Sequence, residues 1–420
     1  RVLFRSNVNV NLNYYKYLED MFELLRHVRK NLPLAKKALL MRVYITLHHF
    51  APIKAVDECD IVLKKLKQYK MVDDRPFCLS IMELKAHALM NAGLYPDGEI
   101  LLKEIQADWL CNKEILSDET LFDLYDRLAA VYRAFNLIDL SKTYNTLSIT
   151  LADKLDDNRL RALAYRTKFK ITLYPNMDLS SESLRKSIEA TALMPSKRIE
   201  TDNSLDVCAL EILSNSTVHQ DKLILKLNSM LQDIEANNLH RAQIHCFFLL
   251  AICNLLKSEE KATLLAKEYV DRAINLSTSY GIVGYLWRLY NLQAIIGIRM
   301  GFDSQHIYKI FFTVFDILKK QGLLYIGNRD ACEGNILALS NIGYYLQERK
   351  FESQFYQTMS LVTFAGQEYS AYPNQNLSDN PVNTFLVQQY AKARKREILF
   401  AQNTPSNLLW DTQTRYLLIL

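Results

Sequence analysis

The chain has 420 residues, 49% of them hydrophobic and 23% charged, with a formal net charge of +5. That composition supplies a large core and excludes a disordered chain, and so small a charge gives no general affinity for nucleic acid or an anionic membrane. Glycine and proline number 11 and 9, with no glycine between Gly98 and Gly281, which suits long helices and disfavours an α/β fold with tight turns at every crossover.

The seven cysteines, Cys59, Cys78, Cys111, Cys208, Cys246, Cys253 and Cys332, are odd in number and scattered through mostly apolar helical context. Buried thiols of a reducing compartment look like this, so a cytoplasmic location is expected. Cys246 and Cys253 share a helix face but stand about 10 Å apart along the axis, too far for an unstrained disulfide. The chain opens at Arg1 with neither methionine nor a signal-peptide pattern and reads as part of a longer protein. No internal window reaches about 18 consecutive apolar residues, so no membrane span is expected within it.

Taken in order, residues 1–32 form an entry segment, with Val8, Val10 and Leu12 alternating in strand fashion and Asn13 capping a first helix through Tyr15, Leu18, Phe22, Leu25 and Val28. Pro33, Pro52 and Pro76 each mark the first turn of a further helix. Two related helix pairs follow. Met82, Ala86 and Leu89 precede a turn at residues 93–96, as Tyr125, Ala129 and Tyr132 precede one at Asn136. Ala86 and Ala129 lie 43 residues apart, as do Ala251 and Ala294, and small residues at matching places allow neighbouring helices to approach closely. Helices are expected at 158–173, 180–193, 204–213 and 219–234, with breaks at Pro175 and Pro195.

From His240 to Phe364 the hairpin pattern is regular. Leu286, Tyr290, Ala294 and Gly297 mark the apolar face of a helix over 283–300 that ends at Gly301. Asp303 then caps a helix with Ile307, Ile310, Phe311, Val314, Ile317 and Leu318, closed by Gly322. A further pair spans 328–346 and 351–364. Residues 33–366 thus form one all-α solenoid, a superhelix of about nine helical hairpins. Residues 367–420 hold a turn-rich loop, a capping helix over 382–401 and a short terminal β-hairpin; the alternative for the apolar end, 415–420, is the first turn of a membrane helix.

The small-residue positions, the turn Asn91-Ala92-Gly93-Leu94-Tyr95 and the run Ala266 to Leu276 with Ala273 resemble degenerate tetratricopeptide repeats, whose consensus period is about 34 residues. The long, consensus-poor units are similar to the helical-repeat sensor regions of bacterial STAND signal-transduction ATPases, including regulators of the maltose-activator type. The resemblance covers roughly Pro33 to Phe364. It implies a cytoplasmic, non-catalytic sensor or scaffold that binds a protein, peptide or small ligand and regulates an upstream effector of the same polypeptide. The chain carries no Walker A loop, since no glycine is followed by lysine.

No catalytic or metal motif stands out, and no cofactor is expected. His240 and His245 are five residues apart, which turns them about 140° from each other on a helix. The basic groups around Arg26 to Lys37 and Lys392 to Arg396 read as solvated faces rather than a phosphate-binding stripe; a nucleic-acid-binding or peptide-responsive transcription-regulatory region is the alternative function. The expected binding surface is the groove of first helices. Trp287, Arg288, Asn291 and Arg299 lie off the apolar face of their helix, Arg133 and Arg166 hold comparable positions earlier, and Asn341 and Tyr345 later. Arginine and large aromatic side chains there suit a protein or peptide partner, with a core position the alternative for Trp287.

Overall fold

The computed structural model describes residues 52–68 and 75–321, apart from short interruptions at 113–115, 136, 174–176, 195, 214–219 and 258, together with residues 40, 43, 46 and 47 and the pairs 363–364 and 367–368. The α-helices run in chain order as α1 (Pro52–Gln68), α2 (Arg75–Asn91), α3 (Tyr95–Cys111), α4 (Asp118–Ala134), α5 (Ile138–Lys154), α6 (Asn158–Thr172) and α7 (Met177–Ala192). They continue as α8 (Lys197–Leu213), α9 (Gln220–Ala236), α10 (His240–Leu255), α11 (Glu260–Tyr280), α12 (Leu286–Arg299) and α13 (Ser304–Lys320).

Local chemistry sets the ends. Ser117 caps α4 by accepting the Thr120 amide at 3.2 Å, Asp157 caps α6 from the amides of Arg159 and Leu160, and Asp303 caps α13 from the His306 amide at 2.9 Å. Gly281 and Gly301 leave α11 and α12 with φ of 64° and 72°. Asp156 and Asn238 take the same left-handed conformation after α5 and α9, a role that short polar side chains tolerate.

Consecutive helices pair as hairpins α2–α3, α4–α5, α6–α7, α8–α9, α10–α11 and α12–α13, and the first helix of each also touches the first helix of the next. This is an all-α solenoid of helical hairpins. Ala86, Ala129, Ala251 and Ala294 are fully buried, joined by Ala164 on α6. Gly98 on α3 and Ser141 and Asn145 on α5 lie against the carbonyls of Ala86, Ala129 and Ala164, so small residues sit where second helices pack on the first. One continuous apolar core runs from Leu79 to Val314. Phe247 and Phe248 are among its largest fully enclosed side chains, and Phe122 and Phe169 anchor smaller clusters beside it, each adding roughly 1.5–3 kcal/mol by removal from water.

The stack also returns on itself. Helix α2 touches the 3-10 turn Val283–Tyr285, Arg241 donates from Nη1 to Asn91 Oδ1 at 2.9 Å, and Gln321 donates from Nε2 to the Val283 carbonyl at 2.8 Å. A Cβ added at Gly93 would lie 2.9 Å from Gln321 Nε2, so the α2–α3 turn and the end of α13 are in contact. Six hairpins therefore bring the last described unit back against the first.

Several expected boundaries move. Residues 283–285 form a 3-10 turn, and α12 begins only at Leu286. The helix expected over 204–213 starts at Lys197, directly after the Pro195 break, and that over 219–234 runs from Gln220 to Ala236. The helix expected to reach Phe364 does not, because Thr363 and Phe364 pair antiparallel with Glu368 and Gln367. A connection of two residues is the length that favours a tight hairpin turn. The entry segment 1–32, the helix over 328–346, the capping helix and the terminal hairpin lie outside the described residues. No helix among the described residues is long and apolar enough to cross a membrane.

Gly93 has φ of 79° as well as the close approach to Gln321. Gly93→Ala is expected to destabilise by about 1–2 kcal/mol from the left-handed backbone alone. Thermal unfolding checks this, and an unchanged midpoint would show that the seam between α2 and α13 does not hold the fold.

Candidate ligand site on the inner face

The first helices turn a polar stripe toward the inside of the solenoid, and two clusters of opposite balance occupy it. The first is acidic. Arg127 on α4 donates to Glu83 of α2 at 3.2 Å and lies 3.7 Å from Asp126, which also accepts from the Thr167 hydroxyl of α6 at 2.8 Å. Burial, and then the negative field of Asp123, push Glu83 up to about 7, against the pull of Arg127. Three carboxylates face one guanidinium.

The second cluster is basic and surrounds a cavity of about 110 Å³. Its charged walls are Arg133 from the end of α4, Lys170 from the end of α6, Asp206 from α8, Arg241 from α10 and Arg288 from α12, with His245, Tyr95 and Tyr285 between them. Behind this wall Arg166 bridges α6 to α8, donating from Nε to Asp206 at 2.5 Å and from Nη1 to Asp202 at 2.9 Å. Burial alone would raise both aspartates, but Arg166 together with the surrounding cations, Lys170 among them, outweighs it and holds them below the usual carboxylate range. Both carboxylates are thus engaged by one arginine.

The remaining cations have no such partner among the described residues. Burial lowers Arg133, lowers Arg288 to about 10 and brings Lys170 down to about 7, with neighbouring cations adding to the effect in each case. Arg288 Nε is buried without a hydrogen-bond partner, while its guanidinium carbon sits 5.2 Å from the Trp287 ring centroid and 5.8 Å from that of Tyr285. Burial takes His245 down to about 4, so it faces the cavity as a neutral imidazole at physiological pH. The site offers guanidinium, ammonium and phenol donors to an electron-rich ligand.

Of the residues expected on a binding groove, Arg133 and Arg288 line the cavity and Arg166 braces it. Trp287 and Asn291 do not belong to an open surface. They are 3% and 0% exposed, because α12 is packed by α10, α11 and α13 and is buried well beyond a single stripe. Both side-chain amide atoms of Asn291 are buried without a partner among the described residues. Arg299 donates instead to the Leu255 carbonyl at the end of α10. Asn341 and Tyr345 lie outside the described residues. His240 and His245 diverge as their spacing requires: His240 stacks on Tyr280 at 3.8 Å between centroids.

Lys170, Arg241, Tyr95 and Tyr285 escaped the sequence reading, and His245 entered it only through its spacing from His240. A signal existed, since Asn91, Arg133, Lys170, Asp206, His245 and Tyr285 recur at roughly forty-residue intervals, a register visible once the repeat length is known. Compared with known proteins, no family model matches the chain and no curated protein matches it either.

A buried carboxyl raised to about 7 gives stability that is complete below its unfolded value and lost as pH rises through 7. Glu83→Gln keeps the hydrogen-bonding shape and leaves Asp123 and Asp126 for Arg127. The variant should gain stability relative to wild type from about pH 5 to pH 8. Parallel denaturation curves across that range would contradict the raised carboxyl.

Proposed function

We propose that this chain is a non-catalytic helical-repeat sensor that receives a protein or peptide ligand on its inner face and regulates an attached effector. The observation that carries this reading is the convergence of Arg133, Lys170, Arg241 and Arg288, from four different hairpins, on one cavity whose acidic neighbours are already engaged by Arg166. A solenoid commonly presents its ligand surface this way, because side chains on the inner face are not needed to hold adjacent repeats together. The resemblance to sensor regions of STAND regulators supports the regulatory role. Free buried thiols at Cys59, Cys78, Cys208, Cys246 and Cys253 support a cytoplasmic site of action.

The test is a panel of acidic, neutral and basic synthetic peptides titrated against wild type and an Arg133→Ala/Arg288→Ala double variant. Acidic peptides should bind wild type preferentially and lose that preference in the variant, with its melting temperature retained. Equal binding by both proteins would overturn the reading. Tighter capture of duplex DNA than of any peptide would transfer it to nucleic-acid recognition.

A further inference from the structure

The inner-face cavity differs from an ordinary basic groove in three respects. Arg133, Lys170 and Arg288 are partly buried, with Arg241 exposed at the rim. The lining as a whole comes from both sides of the seam, with Met90, Asn91 and Tyr95 contributed by α2 and α3 and Ile282, Gly284, Tyr285 and Arg288 by α12 and the turn before it. Its volume is small, about 110 Å³. A peptide side chain lying along an open groove needs none of these. A compact, multiply charged head group needs all of them.

We infer that the cavity between Arg133, Lys170, Arg241 and Arg288 is a site for a phosphoryl group. The inference rests on the reading of the inner face as the ligand surface and names the chemistry that anchors there. A phosphoryl dianion brings about two negative charges and three strong acceptor oxygens, against the single charge of a carboxylate. Guanidinium groups give it forked donors, and Lys170 gives a compact point charge. Arg288 Nε, buried and unpaired, is one donor waiting for such an acceptor. Tyr95 and Tyr285 add hydroxyls from the two sides of the seam. A bound phosphoryl would therefore bridge the first and last hairpins.

Protonation gives the site a signature. Lys170 faces Arg166 on its own helix, Arg133 from α4, Asp202 and Asp206 from α8, Arg241 and His245 from α10, and the Tyr285 and Arg288 pair beyond. Of these, Lys170 changes charge close to neutrality, at about 7, whereas His245 is already neutral there and Arg288 titrates at about 10. The ligand's second ionisation lies at about 6. Binding needs the ligand deprotonated and Lys170 protonated, so affinity should peak between these values and fall on either side. Sulfate, a dianion throughout, should show only the high-pH fall.

The experiment is calorimetric titration of the full chain with inorganic phosphate, sulfate and chloride at constant ionic strength, from pH 5.5 to about 9. Expected are binding of phosphate and sulfate over chloride, a bell-shaped profile for phosphate, and loss of the high-pH limb in Lys170→Arg, whose charge persists. Arg133→Ala and Arg288→Ala should each weaken phosphate by about tenfold or more, the scale of a charged hydrogen bond. A second arm compares a phosphoserine peptide with its glutamate counterpart and with free phosphoserine. Peptide binding far tighter than the free amino acid identifies a phosphorylated protein as the source, and equal binding identifies a small phosphorylated molecule. If acidic peptides bind through Arg133 and Arg288 but phosphate and sulfate bind no better than chloride, the phosphoryl assignment fails while the sensor reading stands. If neither peptide nor phosphate binds, both fail.

Discussion

Close packing of helices at small buried residues is the constraint on which the rest of this structure depends. Ala86, Ala129, Ala164, Ala251 and Ala294 are fully buried, and Gly98 on α3 and Ser141 and Asn145 on α5 lie against the carbonyls of Ala86, Ala129 and Ala164. Second helices thus seat closely on the first and leave the polar stripes of successive first helices in one electrostatic environment. A larger side chain at one of these positions would push its hairpin outward and separate charges that now act on each other. The same packing explains why Arg166 reaches two aspartates on α8 and why Arg127 reaches Glu83 on α2. Polar specificity on the inner face is a consequence of apolar packing beneath it.

Closure adds a second level. In an open solenoid the first and last repeats have no reason to meet, yet here Asn91 hydrogen-bonds Arg241 and the Gly93 turn sits against Gln321. Like charges of Arg133, Arg241 and Arg288 face one another across that junction and oppose its tightening. The seam is thus held by hydrogen bonds and packing against a repulsive centre. Such a balance is sensitive to any anion that enters, because neutralising the centre removes the opposing force and leaves the contacts in place.

The helical solenoid was legible because periodicity and capping are local: Asp303, Gly281 and Gly301 do in the structure what their residue types dictate. The identity of the inner face was legible only in part. Arg133, Arg166 and Arg288 could be picked as polar residues off an apolar stripe, but the same rule picked Trp287 and Asn291, which the neighbours of α12 enclose. Helix α12 has several packing partners, so one stripe does not describe it. Lys170 and Arg241 were missed for the converse reason. Each looks like an ordinary basic residue near a helix end, and only the register between hairpins brings it to the cavity.

Helix termini offer a simpler account of the basic cluster, since Arg133 and Lys170 lie in the last turns of α4 and α6, where the helix dipole favours a cation. The magnitudes decide against it. That dipole is worth about 0.3–1 kcal/mol per charge, whereas withdrawing an unpaired ammonium or guanidinium from water costs several. The chain itself supplies the comparison. Where it buries Arg127 and Arg166 on the same inner face it surrounds them with carboxylates, and both stay above their ordinary range. Arg133 and Lys170, on the same helices as the paired arginines, and Arg288 on α12 are pushed the other way. Among the described residues, uncompensated positive charge on the inner face is therefore concentrated at the cavity wall, in contrast to the arginines that carboxylates surround. Such exceptions mark places where stability is given up for binding, and their counter-charge is to be sought in a ligand.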